Sequence, residues 1–513
     1  MSIFFGNRSL TLFKLLSLSL LFGFLLIGCG SGGGSDNPPP NPTNTHFYQI
    51  SFLNGDLEVA YTVSKQSGNV NISAVADEGG LTGPIYAAND VLVRGNLEYE
   101  AYNLTQDISF YTVAGIKEIS SQEGLNAIRT GLNGRYILTD DIDLDPDGAG
   151  FDANGWQKIG AGNNAANRFS GRLNGNGHTI SGLWINIASG GDDYFGLFSY
   201  ITNAHIENLN IEIPAGKAIR GNDNHVGAVA GYATGSTILN VHVTGNITAA
   251  DNYAGGIVGQ IAGTSTITNS CFEGSVNGDQ YVGGIVGYAE GASIVKNSCF
   301  TGIVIGLDSD VGGIAGYITG AGSSIKNSYS SGIVGGVGGN VGGIAGQVRT
   351  GSSVLNSYSN ADVISYGANT GGIAGYTYSS SASVKNSYSL GTVNGTTYVG
   401  GIVGRIYTNN AAVQKNAAVN PSVIGSGNNY KNRVVSGYVG GVSNNFALDT
   451  MSGSFTQGTN AANHGTSKTA AELATQETYS EGLGWAFGND DDNPWVWSAY
   501  GSYLYPTLYW ETN

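Results

Sequence analysis

Hydrophobic and small residues recur along residues 195–440 with a period of roughly 30 residues. Each copy contains short runs of Ile, Val, Ser, Thr and Tyr, and glycines interrupt these runs every few residues. β-Branched residues favour strands, and glycine permits the turns between them. One aliphatic residue precedes a recurring asparagine by two positions, and another follows it by seven. The pattern predicts three short strands per copy, with aliphatic columns buried between stacked copies.

The recurring asparagine predicts a turn at the same place in every copy. Asparagine tolerates the left-handed conformation, and its amide can hydrogen-bond to an identical amide on the next rung. We therefore expect a structural ladder inside the coil rather than a row of ligand contacts. The predicted members are Asn208, Asn240, Asn269, Asn297, Asn327, Asn356, Asn386 and Asn416.

These features predict an all-β protein built mainly as a parallel β-helix, or β-solenoid, with right-handed crossovers. Helical repeats of this length would need an amphipathic 3.6-residue pattern, which the copies lack. Because the open ends of a solenoid need covering, residues 116–194 are predicted to form an N-terminal cap with the first irregular rungs. Residues 441–513 are predicted to form a C-terminal capping segment.

Residues 46–115 lack the repeat and alternate like strands in the strings FYQISFL, LEVAYTV and VNISAVA, which predicts a small β-domain. The following string SQEGLNAIRTGL, Ser121–Leu132, has the signals of a helix start. Its residues Leu125, Ile128 and Leu132 fall on one face. We expect this helix to cover the first rung.

Residues 1–29 carry the signals of secretion. Positive charge precedes an apolar stretch, Leu15–Ile27, that is too short to span a bilayer comfortably. The stretch ends in Leu-Ile-Gly-Cys, which resembles the lipobox of bacterial lipoproteins. This resemblance implies cleavage before Cys29 and acylation of that cysteine with fatty acids such as palmitate. An ordinary secretory signal with an incidental cysteine is the alternative.

The Gly/Ser- and Pro-rich residues 30–45 cannot bury a core and would form a flexible tether behind the anchored cysteine. Gly30 stands where an aspartate would retain such a lipoprotein in the inner membrane. The lipoprotein resemblance therefore implies a lipid anchor in the bacterial outer membrane, and we expect the chain to face the cell surface.

Charge restricts the partners of the chain. The net charge is −16 at pH 7, and only 11% of the 513 residues are charged. Binding of nucleic acid needs clustered Lys and Arg against the phosphates, so this class of partner is excluded. The remaining partners are the membrane, through the lipid anchor, and a glycan or protein ligand.

Two cysteines, Cys271 and Cys299, occupy the same column of the repeat, 28 residues apart, and Tyr329, Tyr358 and Tyr388 occupy that column in later copies. Stacked rungs bring equivalent Cα atoms to about 4.8 Å, which lies inside the disulfide range. Either a disulfide or two stacked thiols is compatible with the pattern.

A series of motifs resembles bacterial surface proteins built from the GLUG motif. RYILTDDIDL, WQKIG, FSGRLNGNGHTISGLWIN and YFGLFSYI appear in this order, and the repeats and an aromatic-rich closing string, GLGWAFGNDDDNPWVWSAYGSYLYPTLYW, follow them. The resemblance covers about residues 116–510. It implies a β-helix in an adhesin-like extracellular protein. GLUG repeats also occur beside the peptidase domain of some immunoglobulin A proteases.

Motifs of catalysis are missing from the sequence. It contains no H-E-x-x-H zinc site, G-x-S-x-G nucleophile elbow or phosphate-binding P-loop. The acidic residues of the repeats are scattered singly, whereas glycoside hydrolysis needs a pair of carboxylates at a fixed separation. We therefore expect a non-enzymatic protein. A carbohydrate-active β-helix enzyme, a polysaccharide lyase or glycosidase, is the alternative.

Two patterns are candidates for ligand binding. The alternating acids Asp143, Asp145 and Asp147 resemble the first half of a calcium loop, although a capped turn explains them equally. A tyrosine column could present rings that stack on sugars or hold a partner, and cross-rung stacking that only stabilises the coil is its alternative. This column consists of Tyr232, Tyr288, Tyr317 and Tyr376, with Gln260, Gln347 and Arg405 at the same position of other copies.

Taken together, these observations predict a lipid-anchored cell-surface β-helix that acts by binding, in cell or matrix attachment.

Overall fold

The computed structural model describes the chain from residue 47 onwards with several gaps. The described ranges are 47–54, 59–86, 102–104, 108–112, 114–162, 164–187, 193–222, 224–408, 411–427, 430–437, 440–453, 455–456, 460–497 and 505–511. Cys29 and the predicted tether at residues 30–45 lie outside the described residues.

Residues from Ile116 onwards form a parallel β-solenoid of about nine turns, which confirms the predicted fold class. Three sheets run along it, named here the tyrosine sheet, the narrow sheet and the long sheet. The tyrosine sheet contains Phe198–Thr202, Ala230–Thr234, Val258–Ala262, Val286–Ala289, Ala315–Ile318, Ala345–Arg349, Ala374–Tyr378, Val403–Ile406 and Val435–Gly437. The narrow sheet contains Ala254–Gly255, Val282–Gly283, Val311–Gly312, Val341–Gly342, Thr370–Gly371, Val399–Gly400 and Lys431–Asn432.

The long sheet carries the remaining strands of the solenoid. Its strands are Ile116–Ile119, Arg135–Leu138, Ile142–Asp143, Phe151–Asp152, Gly155–Trp156, Arg172–Asn174, Thr179–Ser181, Ile185–Asn186, His205–Glu212, Ile219–Gly221, Thr237–Ala249, Thr266–Thr268, Cys271–Gly278, Ile294–Lys296, Cys299–Gly306, Ser324–Lys326, Tyr329–Gly336, Ser353–Leu355, Tyr358–Ser365, Ser383–Lys385, Tyr388–Ser389, Val393–Gly395, Ala412–Gln414, Ala417–Ala418, Val423–Gly425, Val442–Ser443, Phe446–Leu448 and Thr466–Lys468.

The aliphatic columns fill the interior of the solenoid. The residues two positions before the recurring asparagines, from Ile206 to Val384, are all buried, and so are those seven positions after them, from Ile247 to Val393. Each pairs with its equivalent one rung away, as Ile238 does with Ile267 and Val276 with Val304. Removal of these side chains from water drives the stacking, because a single rung has no face of its own to bury.

Seven of the eight predicted asparagines adopt the left-handed conformation, with φ between 47° and 53°. Their amides bond across rungs in part of the column: Asn240 Nδ2 donates to Asn208 Oδ1 at 2.8 Å, and Asn386 Nδ2 donates to Asn356 Oδ1 at 3.0 Å. The assignment of Asn416 to this column is wrong.

Lys415, not Asn416, holds the left-handed turn in that rung, with φ 60°. Lys385 pairs with Gln414, so Lys415 is the residue that aligns with Asn386. Asn416 takes the place of the buried serine that follows each ladder asparagine from Asn269 to Asn386, and its Oδ1 accepts the Ser387 amide at 3.0 Å. The strand register runs without an insertion through this rung, so its asparagine simply lies one position after the ladder column.

Residues before the solenoid contain a small sheet and a helix. Phe47–Leu53 pairs antiparallel with Val59–Gln66 and parallel with Ile108–Tyr111, and a two-stranded ribbon joins Gly68–Val70 to Tyr102–Leu104. The small N-terminal sheet is thus present, but the string VNISAVA is not a strand.

That string begins a helix, Ile72–Glu78, which buries Ile72, Val75 and Ala76. Asn71 caps it by accepting the Ala74 amide at 2.9 Å. The three buried residues are spaced i, i+3 and i+4, which fits one face of a helix and not alternation, and the asparagine cap supports the helix.

The predicted helix after Ser121 forms as Gln122–Ala127, and a 3-10 turn, Ile128–Thr130, follows it. Ser121 caps it through the Gly124 amide. Leu125 and Ile128 are fully buried in the same cluster as the first rungs. The helix therefore covers the beginning of the solenoid, as its apolar face predicts.

The last part of the chain packs against a side of the solenoid that is formed by much earlier residues. It contains the helices Ala461–His464, Ala470–Leu473 and Thr478–Leu483, the ribbon Trp495–Val496 with Thr507–Leu508, and the 3-10 turn Tyr509–Glu511. Residues 470–511 are named here the C-terminal segment. Its Asp491 forms an ion pair with Lys296 at 2.7 Å, and Trp510 Nε1 donates to the Asn327 carbonyl at 2.9 Å.

Candidate functional site

The predicted tyrosine column exists on the tyrosine sheet. Strand register places Tyr200, Tyr232, Gln260, Tyr288, Tyr317, Gln347, Tyr376 and Arg405 opposite one another on successive rungs. This set is named the open column. Tyr200 was missed in the sequence because Ser199 precedes it, whereas a glycine precedes every predicted tyrosine of the column.

Neighbouring rings of the open column contact one another. The Tyr288 and Tyr317 centroids are 4.8 Å apart with planes inclined by 5°, whereas the Tyr200 and Tyr232 rings, with centroids 4.6 Å apart, are tilted by 56°. Stacking therefore covers ring faces between Tyr288 and Tyr317. Tyr232, Tyr288 and Tyr376 are partly exposed, and Tyr317 is buried. The cross-rung stacking proposed as the alternative is therefore real.

Burial also fixes the charge state of these hydroxyls. Desolvation is the main cause that raises the pKa of Tyr232 and of Tyr376 to about 12, and it raises the pKa of Tyr288 as well. The phenols are therefore neutral at physiological pH. A neutral hydroxyl can both donate and accept a hydrogen bond, as a sugar hydroxyl does.

A second column, which sequence reasoning missed, lies beside the first. Its members are His225, Tyr253, Tyr281, Asp310, Asn340 and Asn369, and all have a left-handed backbone with φ between 56° and 65°. This set is named the turn column. The signal was visible in the sequence, because from Tyr253 onwards each member directly precedes the small residue and glycine that begin the next strand.

Aromatic residues in the turn column are unusual. Asn and Asp tolerate a left-handed backbone, whereas a bulky residue there is a conformational outlier that costs on the order of 1–3 kcal/mol. The rings of His225 and Tyr253 nevertheless stack at 4.4 Å, and those of Tyr253 and Tyr281 stack at 5.1 Å. The chain thus tolerates strain at two tyrosines where later rungs use Asn.

The two columns meet at right angles. Tyr281 lies 5.3 Å from Tyr288 and 5.4 Å from Tyr317, with both interplanar angles at 83°. Tyr253 contacts Tyr288 in the same way at 5.7 Å and 87°. The result is a continuous wall of aromatic edges that runs along the solenoid over successive rungs.

Polar groups line this wall. Gln260 accepts a hydrogen bond from His225 Nε2 at 2.8 Å and donates to Glu290 Oε1 at 3.1 Å. Further along, Asn369 donates to Asn340 at 2.7 Å, and Asn340 donates to Asp310 Oδ1 at 2.9 Å. The aromatic wall is therefore bordered by an amide and carboxylate network rather than by aliphatic residues.

Asp310 is the most perturbed carboxyl of this face. It is 4% exposed, and burial raises its pKa to about 7 despite the hydrogen bond from Asn340. Its charge interacts with Tyr281, Tyr317 and Arg349. A carboxyl that titrates near neutrality can hold or release a proton under physiological conditions.

The three candidate calcium residues are used in a turn. Asp143 Oδ1 accepts from the Ser181 hydroxyl at 2.8 Å, and Asp145 Oδ1 accepts from the Asp147 amide at 3.0 Å. Gln122, in the helix Gln122–Ala127, binds both the amide and the carbonyl of Asp145. Within the described ranges, no group of three or more His, Cys, Asp or Glu is arranged to hold a metal ion. These contacts match the capped turn.

The cysteine column lies on the long sheet, as its sequence phase predicts. Cys271 pairs with Cys299, and Tyr329, Tyr358 and Tyr388 follow on the next rungs. The two cysteines form a disulfide with Cα atoms 4.6 Å apart. The three tyrosines, named the covered column, lie under the C-terminal segment: Tyr388 donates to the Pro506 carbonyl at 2.6 Å and Tyr358 to Glu511 at 2.7 Å.

No helix in the described part of the chain is long and apolar enough to cross a membrane.

Comparisons with known proteins give partial similarities. No family model matches the chain. It is 37% identical over 136 residues to halomucin of Haloquadratum walsbyi, which is 26% of this chain and 1% of that protein. It is 39% identical over 100 residues to a protein of Evansella cellulosilytica named as a Gly-rich membrane protein, which is 18% of this chain and 10% of that protein. The matched parts are thus small fractions of both relatives.

Among solved structures, the chain is similar to a Bacteroides ovatus protein named as an immunoglobulin A1 protease. The identity is 18% and the TM-score is 0.35, over 77% of this chain and 92% of that one. A similarity at this level supports no inference about activity.

Proposed function

We propose that this protein is a lipid-anchored cell-surface β-helix that acts by binding, in the manner of the adhesin-like GLUG-motif proteins it resembles. The aromatic wall formed by the open and turn columns is the proposed contact surface. Anchoring at Cys29 and the tether at residues 30–45 would hold this surface away from the outer membrane.

The observation that carries the proposal is the left-handed tyrosine pair of the turn column. Tyr253 and Tyr281 occupy positions where Asn340 and Asn369 satisfy the same backbone geometry without strain. Strain that is retained although an unstrained residue is available points to a role for the rings beyond stability. Partly exposed aromatic edges with neutral hydroxyls suit the recognition of a glycan or of a protein surface.

A membrane location is supported by one relative. The Evansella protein, similar over 100 residues, is named as a membrane protein. Protease treatment of intact cells tests the location of this chain, because its loss from unlysed cells establishes surface exposure. Survival in intact cells with digestion after lysis would contradict it.

Replacement of both turn-column tyrosines by the residue used in later rungs tests the binding surface. In a deletion strain that expresses the Tyr253→Asn/Tyr281→Asn variant, we expect attachment to host cells or matrix to fall to the level of the deletion strain. The fold should be retained, because asparagine relieves the backbone strain.

Tyr366→Asn is the matched control, because Tyr366 is 78% exposed and directly follows the long-sheet strand Tyr358–Ser365, away from the tyrosine sheet. Attachment should remain normal with this substitution. If the double variant attaches as the wild type does, at equal surface abundance and melting temperature, the aromatic wall is not the binding surface.

A carbohydrate-active enzyme is a second candidate because of Asp310. A buried carboxyl with a pKa near neutrality, close to Tyr281 and Tyr317, is suited to proton transfer. Release of oligosaccharides from a polysaccharide panel, abolished by Asp310→Asn, would establish this alternative. Absence of release across the panel leaves binding as the function.

A further inference from the structure

Two arginines lie among tyrosine rings on the tyrosine sheet, beyond Asp310. The Arg349 guanidinium carbon is 4.3 Å from the centroid of the Tyr378 ring, and Arg349 donates to the Tyr317 hydroxyl at 3.0 Å. The Arg405 guanidinium carbon is 4.4 Å from the Tyr398 centroid and 5.3 Å from that of Tyr407. Cation–π contacts of this kind orient a guanidinium plane.

Neither arginine has a carboxylate partner at ion-pair distance within the described residues. The ion pairs found there use Lys65, His178, His205, Lys296 and Lys468 as their cations. Asp310 interacts with Arg349 electrostatically but makes no ion pair with it. No arginine is among the cations of these ion pairs, and Arg129 and Arg168 also lie over rings, 5.1 Å from the Trp156 centroid and 3.7 Å from the Tyr200 centroid. What distinguishes Arg349 and Arg405 is their position on the two strands that flank the strand Ala374–Tyr378.

Strand register places the two arginines around one central strand. Arg349 pairs with Tyr378, and Arg405 pairs with Tyr376 from the other side. Their backbones are therefore separated by two strand spacings, roughly 10 Å, along the solenoid axis. Both guanidinium groups are close enough to influence the hydroxyl of Tyr376. They form one cluster with the surrounding rings.

The exposed parts of the two guanidinium groups suit an anion. Both side chains are partly exposed, whereas Arg349 Nε is buried and Arg349 Nη1 donates to Tyr317, so the remaining nitrogens would meet the ligand. Guanidinium groups bind carboxylate and sulfate oxygens through paired N–H donors, and partial burial strengthens such bonds. Tyr407, which is 44% exposed, lies next to Arg405 and adds a hydroxyl-bearing ring at the entrance.

We propose that Arg349 and Arg405, oriented by Tyr378, Tyr398 and Tyr407, bind the carboxylate or sulfate groups of an acidic polysaccharide. This proposal rests on the binding function proposed above and names its ligand class. The hydroxyl-bearing rings of Tyr378, Tyr398 and Tyr407 beside the guanidinium groups suit a polymer of sugar rings that carries separate acid groups.

Binding of the full chain to immobilised polygalacturonate and dextran sulfate tests the site, with uncharged dextran as the neutral polymer. We expect binding to at least one acidic polymer, none to dextran, and weakening with added salt. The Arg349→Gln/Arg405→Gln variant should bind the acidic polymer about tenfold more weakly or worse. Arg220→Gln is the matched control, because Arg220 is exposed on the long sheet, and it should bind as the wild type does.

The Arg349→Lys/Arg405→Lys variant keeps both charges but loses the planar donor fork, so its affinity should fall between those of the wild type and the Gln variant. An unchanged melting temperature in this variant separates loss of the site from loss of the fold. Equal affinity of the wild type and the Gln variant for the acidic polymers overturns the site. Binding of single-stranded DNA as tight as that of polygalacturonate overturns the ligand class.

Attachment assays separate this proposal from the function on which it rests. If cells with the Gln variant attach as the wild type does while the turn-column variant does not, the arginine site fails and the binding function stands. If the deletion strain attaches as well as its parent although the purified chain binds polygalacturonate through both arginines, the attachment function fails and the site stands.

Discussion

The molecule contains two columns of stacked tyrosines that have nearly the same ring geometry but differ in burial. In the covered column, Tyr329, Tyr358 and Tyr388 stack at 5.1 Å and 4.9 Å with planes within 9°. In the open column, Tyr288 and Tyr317 stack at 4.8 Å within 5°. Tyr388 is nevertheless 1% exposed and bonded to the C-terminal segment, whereas Tyr288 is partly exposed.

The difference shows what ring stacking means in a solenoid. A tyrosine repeated in phase must stack on its neighbour, because the rungs are about 4.8 Å apart, so stacking reports register and not function. A covering segment turns one ladder into core. Stacking does not account for the left-handed backbone of Tyr253 and Tyr281, which lie beside the open column. Nor does it account for Arg349 and Arg405, which have no ion pair among the described residues.

The largest difference between the ladders should appear when the cover is damaged. Trp495 is fully buried, 5.7 Å from Tyr388 and 4.7 Å from Trp485. Trp495→Ala should cost about 3–5 kcal/mol of stability in the C-terminal segment because it leaves a large cavity. Tyr288→Ala in the open column should cost about 1–2 kcal/mol.

Limited proteolysis and denaturant unfolding measure both effects. Faster cleavage within the C-terminal segment is expected for Trp495→Ala alone. A similar loss of unfolding free energy in Trp495→Ala and Tyr288→Ala would contradict the distinction between a covered and an open column.

A smaller effect is expected at the carboxyl beside the open column. Burial raises the folded-state pKa of Asp310 to about 7, so the native protein keeps this proton between about pH 4 and pH 7 while the unfolded chain releases it. The unfolding free energy of the wild type should therefore decrease as pH rises through this window and level off above it.

Asp310→Asn removes this titration and places in the turn column the residue found at Asn340 and Asn369. We expect a gain on the order of 2 kcal/mol at pH 8 and almost none at pH 4. Thermal melting across this range measures it. A gain that is independent of pH would show that Asp310 is ionised throughout.

The smallest effect concerns single hydroxyls. Tyr388→Phe leaves the Pro506 carbonyl without its donor and should cost about 1–2 kcal/mol. Tyr288 has no hydrogen-bond partner for its hydroxyl among the described residues, so Tyr288→Phe should change stability by less than about 0.5 kcal/mol. Equal effects in urea unfolding would contradict the assignment of one ladder as covered and the other as open.

The repeated sequence pattern correctly predicted the features that recur from one rung to the next. The buried aliphatic columns and seven of the eight asparagine turns follow from a repeat of fixed length, since each rung copies the environment of the previous one. The prediction failed at Asn416, which lies one position after the ladder column that Lys415 occupies, and at VNISAVA, where Ile72, Val75 and Ala76 form one face of a helix.

Residue spacing was sufficient to predict the period, the parallel solenoid and the tyrosine and cysteine columns. Which tyrosine column becomes core and which remains surface could not be predicted from that spacing. That choice depends on contacts such as Tyr388 with Pro506 and Lys296 with Asp491, which join residues 118 and 195 positions apart. A periodic pattern holds no information about where a non-repeating segment returns, because its docking depends on surface complementarity that forms only after the rungs have stacked.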